Sequence, residues 1–231
     1  MKFKRILLKL SGEAIRNGKD EIIDFDYLKE ICKKIENVRE KGFELAIVIG
    51  GGNIWRGRNN ACIDIDSSDN IGLIGTTINA LAVNAVFNSI GVDSSVVNAF
   101  EVENILKCNN KENLKELLEK KIIVFGGGTG HGGCSTDTAA SKRAIEIDAD
   151  AIVKITNVDG VYDKDPNKYN DAIMYGKLSF QEAIDKNLKV MDKLSMEMCR
   201  DSKIPIIVMN INKLGELDKV LNGEKIGSLI E

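Results

Sequence analysis

Histidine is almost absent: His131 is the single one in 231 residues. No Cys-x-x-Cys pair occurs, and the five cysteines (Cys32, Cys62, Cys108, Cys134 and Cys199) are odd in number and widely scattered. These shortages disfavour a metal centre built from cysteine or histidine, and they fit a reducing compartment. An excess of one charge is lacking too. The 32 basic residues face 35 acidic ones for a net charge of -3, so no basic field exists to gather a nucleic-acid polymer or a membrane surface. Met1–Arg5 is a basic start, but Lys9 interrupts the apolar residues that follow after Ile6-Leu7-Leu8, far short of a signal sequence. No stretch approaches the ~18 apolar residues of a membrane span. The expected location is the cytoplasm.

What is present suffices for a core. Apolar residues make up 43% of the chain and charged residues 29%, an ordinary globular balance. A chain of this length buries roughly 70% of the surface its unfolded form exposes, so it needs no covalent staples. Nothing in the sequence reads as a linker, repeat or low-complexity segment, and one domain over residues 1–231 is expected.

Apolar runs ending in glycine or polar turns predict buried strands at Arg5–Leu10, Leu45–Ile49, Ile122–Phe125, Ala151–Ile155 and Pro205–Met209. Ser95–Val97 and Ser228–Ile230 are weaker candidates. Helical spacing is read over Phe25–Glu40, Ile71–Ile90, Lys111–Lys120, Thr136–Ile147, Ser179–Lys186 and Asp192–Asp201. Ile71–Ile90 is nearly all apolar or small, which predicts burial on most sides, against other helices or a partner subunit. Strands alternating with helices imply an α/β fold with a mostly parallel sheet covered on both faces.

Ligands of open α/β sheets sit beyond the carboxyl ends of the strands. Four segments there carry unusual residues. Lys9 ends the first strand beside Ser11 and Gly12, where an ammonium and backbone N–H groups can meet a phosphate; a surface lysine and a plain turn fit as well. Gly50-Gly51-Gly52 follows the second strand, with Arg56 shortly after. Each glycine costs up to roughly 1 kcal/mol relative to alanine, so a run of three favours close approach to an anion over a simple turn. A guanidinium suits a pair of phosphate oxygens. Six glycines fall between Gly126 and Gly133, leading into a helix that Ser135 or Thr136 caps and that carries Asp137 in its first turn. Asp137 alone reads equally as a carboxylate on a helix dipole. Lys154 ends the fourth strand at the same edge as Lys9, and Asp159-Gly160 beyond it reads as a hairpin turn. Tyr162 and Asp165 are placed to frame a nucleotide base. His131 is a candidate ligand, proton donor or simple hydrogen-bond donor. Gly12–Lys19 approaches a P-loop but has five intervening residues, and Asp20 follows where serine or threonine belongs. Dinucleotide fingerprints fit no better.

Taken together, Lys4–Glu13, Ile49–Asn53, Trp55-Arg56-Gly57, Thr136-Asp137, Val158–Pro166 and Leu188–Asp192 agree in order and spacing with one pattern. The chain resembles the bacterial uridylate (UMP) kinases of the amino acid kinase family over nearly its full length. The resemblance implies a three-layer αβα sandwich, a homohexamer, and transfer of the γ-phosphoryl group of ATP to UMP in pyrimidine nucleotide biosynthesis, with Mg2+ accompanying ATP. It also implies roles. Lys9, Lys154, Asp137 and Asp192 would form the catalytic set, with Asp137 and Asp192 organising Mg2+. Lys9, Ser11, Gly12, Gly52, Asn157, Tyr162 and Asp165 would hold ATP. Gly51, Arg56, Asp69, Thr129, Gly130 and Thr136 would hold UMP. No general base is needed, because a phosphate monoester with a second pKa near ~6 is largely a dianion at pH 7. The alternatives are another kinase of the family with a carboxylate, carbamate or phosphate acceptor, or a non-catalytic nucleotide- or oxyanion-binding relative.

Two departures from the family pattern stand out. Its usual Asn-Pro-Phe-Phe is replaced here by His131-Gly132-Gly133-Cys134, a loop similar to that of archaeal members. Asn79–Ser95 carries no Arg, Lys or His, so activation by GTP is expected to be weak or absent.

Overall fold

The structure is a computed structural model that describes residues 2–57, 62–106 and 113–231. The chain runs β1 (Arg5–Leu10), α1 (Phe25–Glu40), β2 (Glu44–Ile49), α2 (Ile65–Ser89), β3 (Ser94–Asn98), α3 (Leu114–Lys120), β4 (Ile122–Gly126), α4 (Thr136–Glu146) and β5 (Ala151–Thr156). Short strands β6 (Val161–Tyr162), β7 (Met174–Tyr175) and β8 (Lys177–Leu178) follow, then α5 (Phe180–Asp185), α6 (Lys193–Asp201), β9 (Ile206–Asn210), α7 (Leu217–Leu221) and β10 (Ser228–Ile230). The start of the helix expected over Lys111–Lys120 lies outside the described residues.

Eight strands form one sheet in the order β3-β4-β2-β1-β5-β9-β10-β8. The first six are parallel, and β10 turns antiparallel against β9. Successive side chains on a strand point to opposite faces. Ile6, Leu8 and Leu10 therefore join α1, α2 and α7 in one core, while Leu7 meets α3, α4, α5 and α6 in the other. This is the expected three-layer αβα arrangement. The same period puts Lys9 on the α4 side, in step with Leu7.

Two readings are corrected. Asp159-Gly160 is not a hairpin turn, because β5 pairs with β1 and β9 rather than with β6. The hairpin is β6–β7, closing through 163–173. Gly160 serves packing instead: a Cβ there would lie 2.3 Å from Ser228 Oγ. The expectation about apolar length also fails at α2, a helix of 25 residues that is long and apolar enough to cross a membrane by those measures alone. Its composition has another use. Gly75, Thr76, Asn79, Ala80, Val83 and Phe87 are buried where α2 packs on β4, β3 and α1. Ile71, Ile74 and Ile78 stay 40–48% exposed on the opposite face.

Candidate active site

The turns after β1 and β2 are locked to each other. Ser11 Oγ accepts the N–H of Ala14 at 3.2 Å and caps a short 3-10 turn over Gly12–Arg16. A Cβ on Gly12 would sit 2.2 Å from Asn53 Oδ1 and 2.6 Å from the Gly50 carbonyl, so only glycine allows this approach. Asn53 and Asn79 exchange side-chain amide hydrogen bonds of 3.1 and 2.7 Å, and Asn79 also donates to the Gly50 carbonyl at 2.7 Å. Both amides are buried, and their mutual pairing removes the penalty of leaving them unsatisfied. Sequence reasoning passed over Asn79, whose polar side chain inside an otherwise apolar helix was the available signal.

Lys9 and Lys154 are register partners on adjacent parallel strands, with side chains on the same face and at the same end. Two ammonium groups side by side need an anion between them. Asp137, in the first turn of α4, supplies it: Oδ1 lies 2.7 Å from Lys9 Nζ and Oδ2 lies 3.2 Å from Lys154 Nζ. The Lys9 contact is ionic rather than an aligned hydrogen bond. Lys154 Nζ also donates to the Val190 carbonyl. Burial pushes the Lys154 ammonium below its ordinary pKa and the charge of Lys9 pushes the same way, while Asp137 opposes both.

Asp192 adjoins this centre and is itself saturated. Its Oδ1 accepts the Ser195 N–H at 2.8 Å, capping α6. Its Oδ2 accepts from Ser135 Oγ and from Thr138 Oγ1, the latter at 3.2 Å. Burial raises the Asp192 pKa, but the Ser135 hydroxyl and the donors at Ser195 outweigh it and hold the group below the usual carboxylate range. Ser135, not Thr136, caps α4, accepting the Thr138 N–H at 3.0 Å.

Beside the lysines opens a cavity of about 400 Å³. Gly51, Arg56, Asp69 and Thr136 of the expected acceptor set line it. Arg56 Nη2 pairs with Glu13 Oε1 at 2.7 Å, and its Nε donates to the Gly52 carbonyl at 3.2 Å. Asp69 Oδ2 accepts the Gly133 N–H, and a Cβ on Gly132 would lie 2.9 Å from Asp69 Cβ. Gly133 has φ of +77°, a left-handed value that glycine tolerates. The loop His131–Cys134 is thus pinned on α2, and His131 and Cys134 reach the cavity wall. Thr129 and Gly130 lie in the turn behind: Thr129 Oγ1 donates to the His131 carbonyl at 3.0 Å, and the Gly130 N–H to the Gly127 carbonyl at 2.9 Å.

Asn157, Tyr162 and Asp165 form a separate group beyond β5. The Asn157 carbonyl accepts from Asn210 Nδ2 at 3.3 Å, and Asp165 Oδ1 accepts the Asn167 N–H at 3.0 Å. These bonds stay within the segment and with Asn210 rather than reaching the lysine centre. As magnesium ligands, Asp137 and Asp192 do not fit this arrangement. The oxygens of Asp137 face two ammonium groups and those of Asp192 face helix donors. No group of three or more His, Cys, Asp or Glu residues able to hold a metal occurs among the described residues.

This geometry has known counterparts. The UMP kinase of Bacillus anthracis superimposes with a TM-score of 0.95 at 33% identity, covering 100% of this chain and 97% of that one. The UMP kinase of Ureaplasma parvum gives a TM-score of 0.91 at 33% identity, with 100% of both chains covered. The uridylate kinase of Archaeoglobus fulgidus gives 0.73 at 26% identity, again over 100% of both. The family model for amino acid kinases matches residues 4–210. By fold, by length and by the residues at its strand ends, this chain belongs to the amino acid kinase family.

Proposed function

We propose that the chain is a UMP kinase, a nucleoside monophosphate kinase that transfers the γ-phosphoryl group of ATP to UMP and yields UDP and ADP for pyrimidine nucleotide biosynthesis. The observation that carries phosphoryl transfer is the Lys9–Asp137–Lys154 cluster at the ends of adjacent strands. UMP as the acceptor is supported by the relatives named as UMP kinases and by the cavity that Arg56, Asp69 and Thr136 line beside the cluster.

The chemistry is positioning and charge stabilisation. Arg56 binds the acceptor phosphate, and Asp69 and Thr136 hold the nucleoside, with Gly51 in the wall and Thr129 and Gly130 supporting it from the turn behind. Ser11, Gly12 and Gly52 present backbone N–H groups to the ATP phosphates, while Asn157, Tyr162 and Asp165 border the base. Lys9 and Lys154 stabilise the charge that builds on the transferring group. Asp137 keeps the two ammonium groups together against their repulsion. Mg2+ would accompany ATP, held by its phosphates, and would supply further charge stabilisation there. The reading includes a homohexamer, supported by the exposed face of α2, and a cytoplasmic location, in keeping with free thiols at Cys32, Cys62, Cys134 and Cys199.

The test is ADP release with UMP, CMP, AMP, carbamate and N-acetylglutamate as acceptors. Turnover with UMP alone is expected. Turnover with carbamate or N-acetylglutamate in its place, or binding of UMP without turnover, overturns the proposal.

A further inference from the structure

The Lys9–Asp137–Lys154 cluster does not stand alone. The segment leading into α6 touches it twice. The Val190 carbonyl accepts from Lys154 Nζ, and two residues later Asp192 grips the start of α4 through Ser135 and Thr138, which flank Asp137. These contacts close a ring: Lys154 to Asp137, along the α4 turn to Ser135 and Thr138, across to Asp192, along the chain to Val190, and back to Lys154. Val190 is 1% exposed and Thr138 is 5% exposed, while Ser135, Asp137, Lys154 and Asp192 are half-buried, so the ring is anchored at the edge of the core.

The ring has a physical reason. Each helix N-terminus carries roughly half a positive charge. Here two of them, of α4 and α6, converge on one carboxylate. Asp192 caps α6 through Oδ1 at 2.8 Å from the Ser195 N–H, while Oδ2 bonds the hydroxyl of the residue that caps α4. One anion therefore serves two helix starts and sets their relative position. Because Asp137 lies in the first turn of α4, that position also sets how Asp137 meets Lys154.

We propose that Ser135 and Asp192 are positioning residues for phosphoryl transfer, holding Asp137 against Lys154 by tying the starts of α4 and α6 together. They act through Asp137 and not through contact with the transferring group. This assigns Asp192 a different task from metal binding, and it gives Ser135 a task beyond capping.

The inference rests on the UMP kinase reading for its kinetic test only. Ser135→Ala is the cleaner variant, because it removes one of the two bonds by which Asp192 grips α4 while keeping the charge of Asp192. With Thr138 alone left to hold α4 to Asp192, Asp137 meets Lys154 less closely, and the ammonium loses part of the support that opposes its burial. The 15N signal of Lys154 Nζ, followed by NMR without substrates, is expected to titrate at lower pH in S135A than in wild type. With UMP and ATP, kcat is expected to fall about tenfold with both KM values little changed, and the alkaline limb of the kcat profile to move to lower pH. Ser135→Thr, which restores a hydroxyl, should recover both. Ser179→Ala removes an equivalent serine cap from α5, far from the cluster, and controls for capping alone. Asp192→Asn provides a second variant should S135A fold poorly. An unmoved Lys154 titration in S135A, or an equal shift in S179A, overturns the proposal. A moved titration in a protein that turns over none of the acceptors leaves the positioning role standing and removes the UMP kinase reading instead.

Discussion

Lys154 carries opposite consequences for activity and for stability. Its pKa in the folded protein lies below 10.5, chiefly through burial and then through Lys9. In the unfolded chain it returns to about 10.4. Between the two values the folded state binds fewer protons than the unfolded state, so stability rises with pH across that window. On the proposed mechanism the ammonium needed for transfer is lost in the same window, so kcat is expected to fall. A pH series should therefore show activity declining at lower pH than an ordinary lysine would give, while the unfolding free energy gains from this group. Lys154→Met should abolish both slopes along with most of the activity; slopes that persist in K154M would assign the effect elsewhere. Lys9 makes a simpler case. Lys9→Ala should lower kcat by at least about a hundredfold, the order expected when one electrostatic contact to the transition state is lost. UMP should still bind by calorimetry, since Arg56, Asp69 and Thr136 are untouched. An unchanged kcat would remove Lys9 from the mechanism.

Among the elements, α1 shows how local chemistry becomes stability. Asp24 caps it, with Oδ1 accepting the Tyr27 N–H at 3.2 Å. Lys19 reaches the same carboxylate at 2.8 Å, and Asn17 Nδ2 donates to it at 3.1 Å. Lys19 first, then Asn17 and the Tyr27 N–H, hold its pKa down at about 2 from 3.8. A depressed carboxylate pKa contributes stability that is present above the unfolded value and is lost as pH falls through the folded one. Asp24→Asn should therefore flatten the loss of stability between pH 3.8 and about 2. Denaturant unfolding at several pH values checks it, and parallel curves for both proteins would contradict it.

α1 was also legible over its whole length from the period of its apolar residues, and the Asp24 cap found in the structure agrees with where that period starts. β1 was legible for the same kind of reason, an apolar run closed by a polar turn. α2 begins at Ile65 rather than at Ile71, since Asp64 caps it through the Ser67 N–H at 2.8 Å and the polar first turn hides the start. β6, β7 and β8 have two residues each, too few for a period to register. Their place depends on distant partners, such as Ser228 Oγ accepting the Val161 N–H at 2.8 Å. The candidate site divides in the same way. The glycine turns and the lysines at strand ends could be read directly. The adjacency of Lys9 and Lys154 needed the strand order, which places β5 beside β1 although their lysines are far apart in sequence. The double cap by Asp192 needed two helices to converge, and no local pattern announces that.

For the whole molecule, α2 faces two ways at once. One face supplies Asp69, Gly72, Leu73 and Thr76 to the cavity wall. Another presents Ile71, Ile74 and Ile78, which are 40%, 48% and 45% exposed and recur at helical spacing. No charged residue falls between Asn70 and Ile90 to keep that face in water. The described residues leave these isoleucines uncovered, and on the proposed assembly a second copy of the chain would cover this chargeless stripe. Assembly would then brace the same helix that carries Asp69. Ile74→Glu places a charge in the middle of the stripe and should shift the sedimentation coefficient from that of the proposed hexamer to that of smaller species. Because Asp69 and Leu73 share that helix, the dissociated form should also show a higher KM for UMP, with KM for ATP less affected. A wild-type chain that sediments as a monomer at micromolar concentration would remove the interface, and an I74E chain that dissociates with KM for UMP unchanged would separate assembly from the acceptor wall.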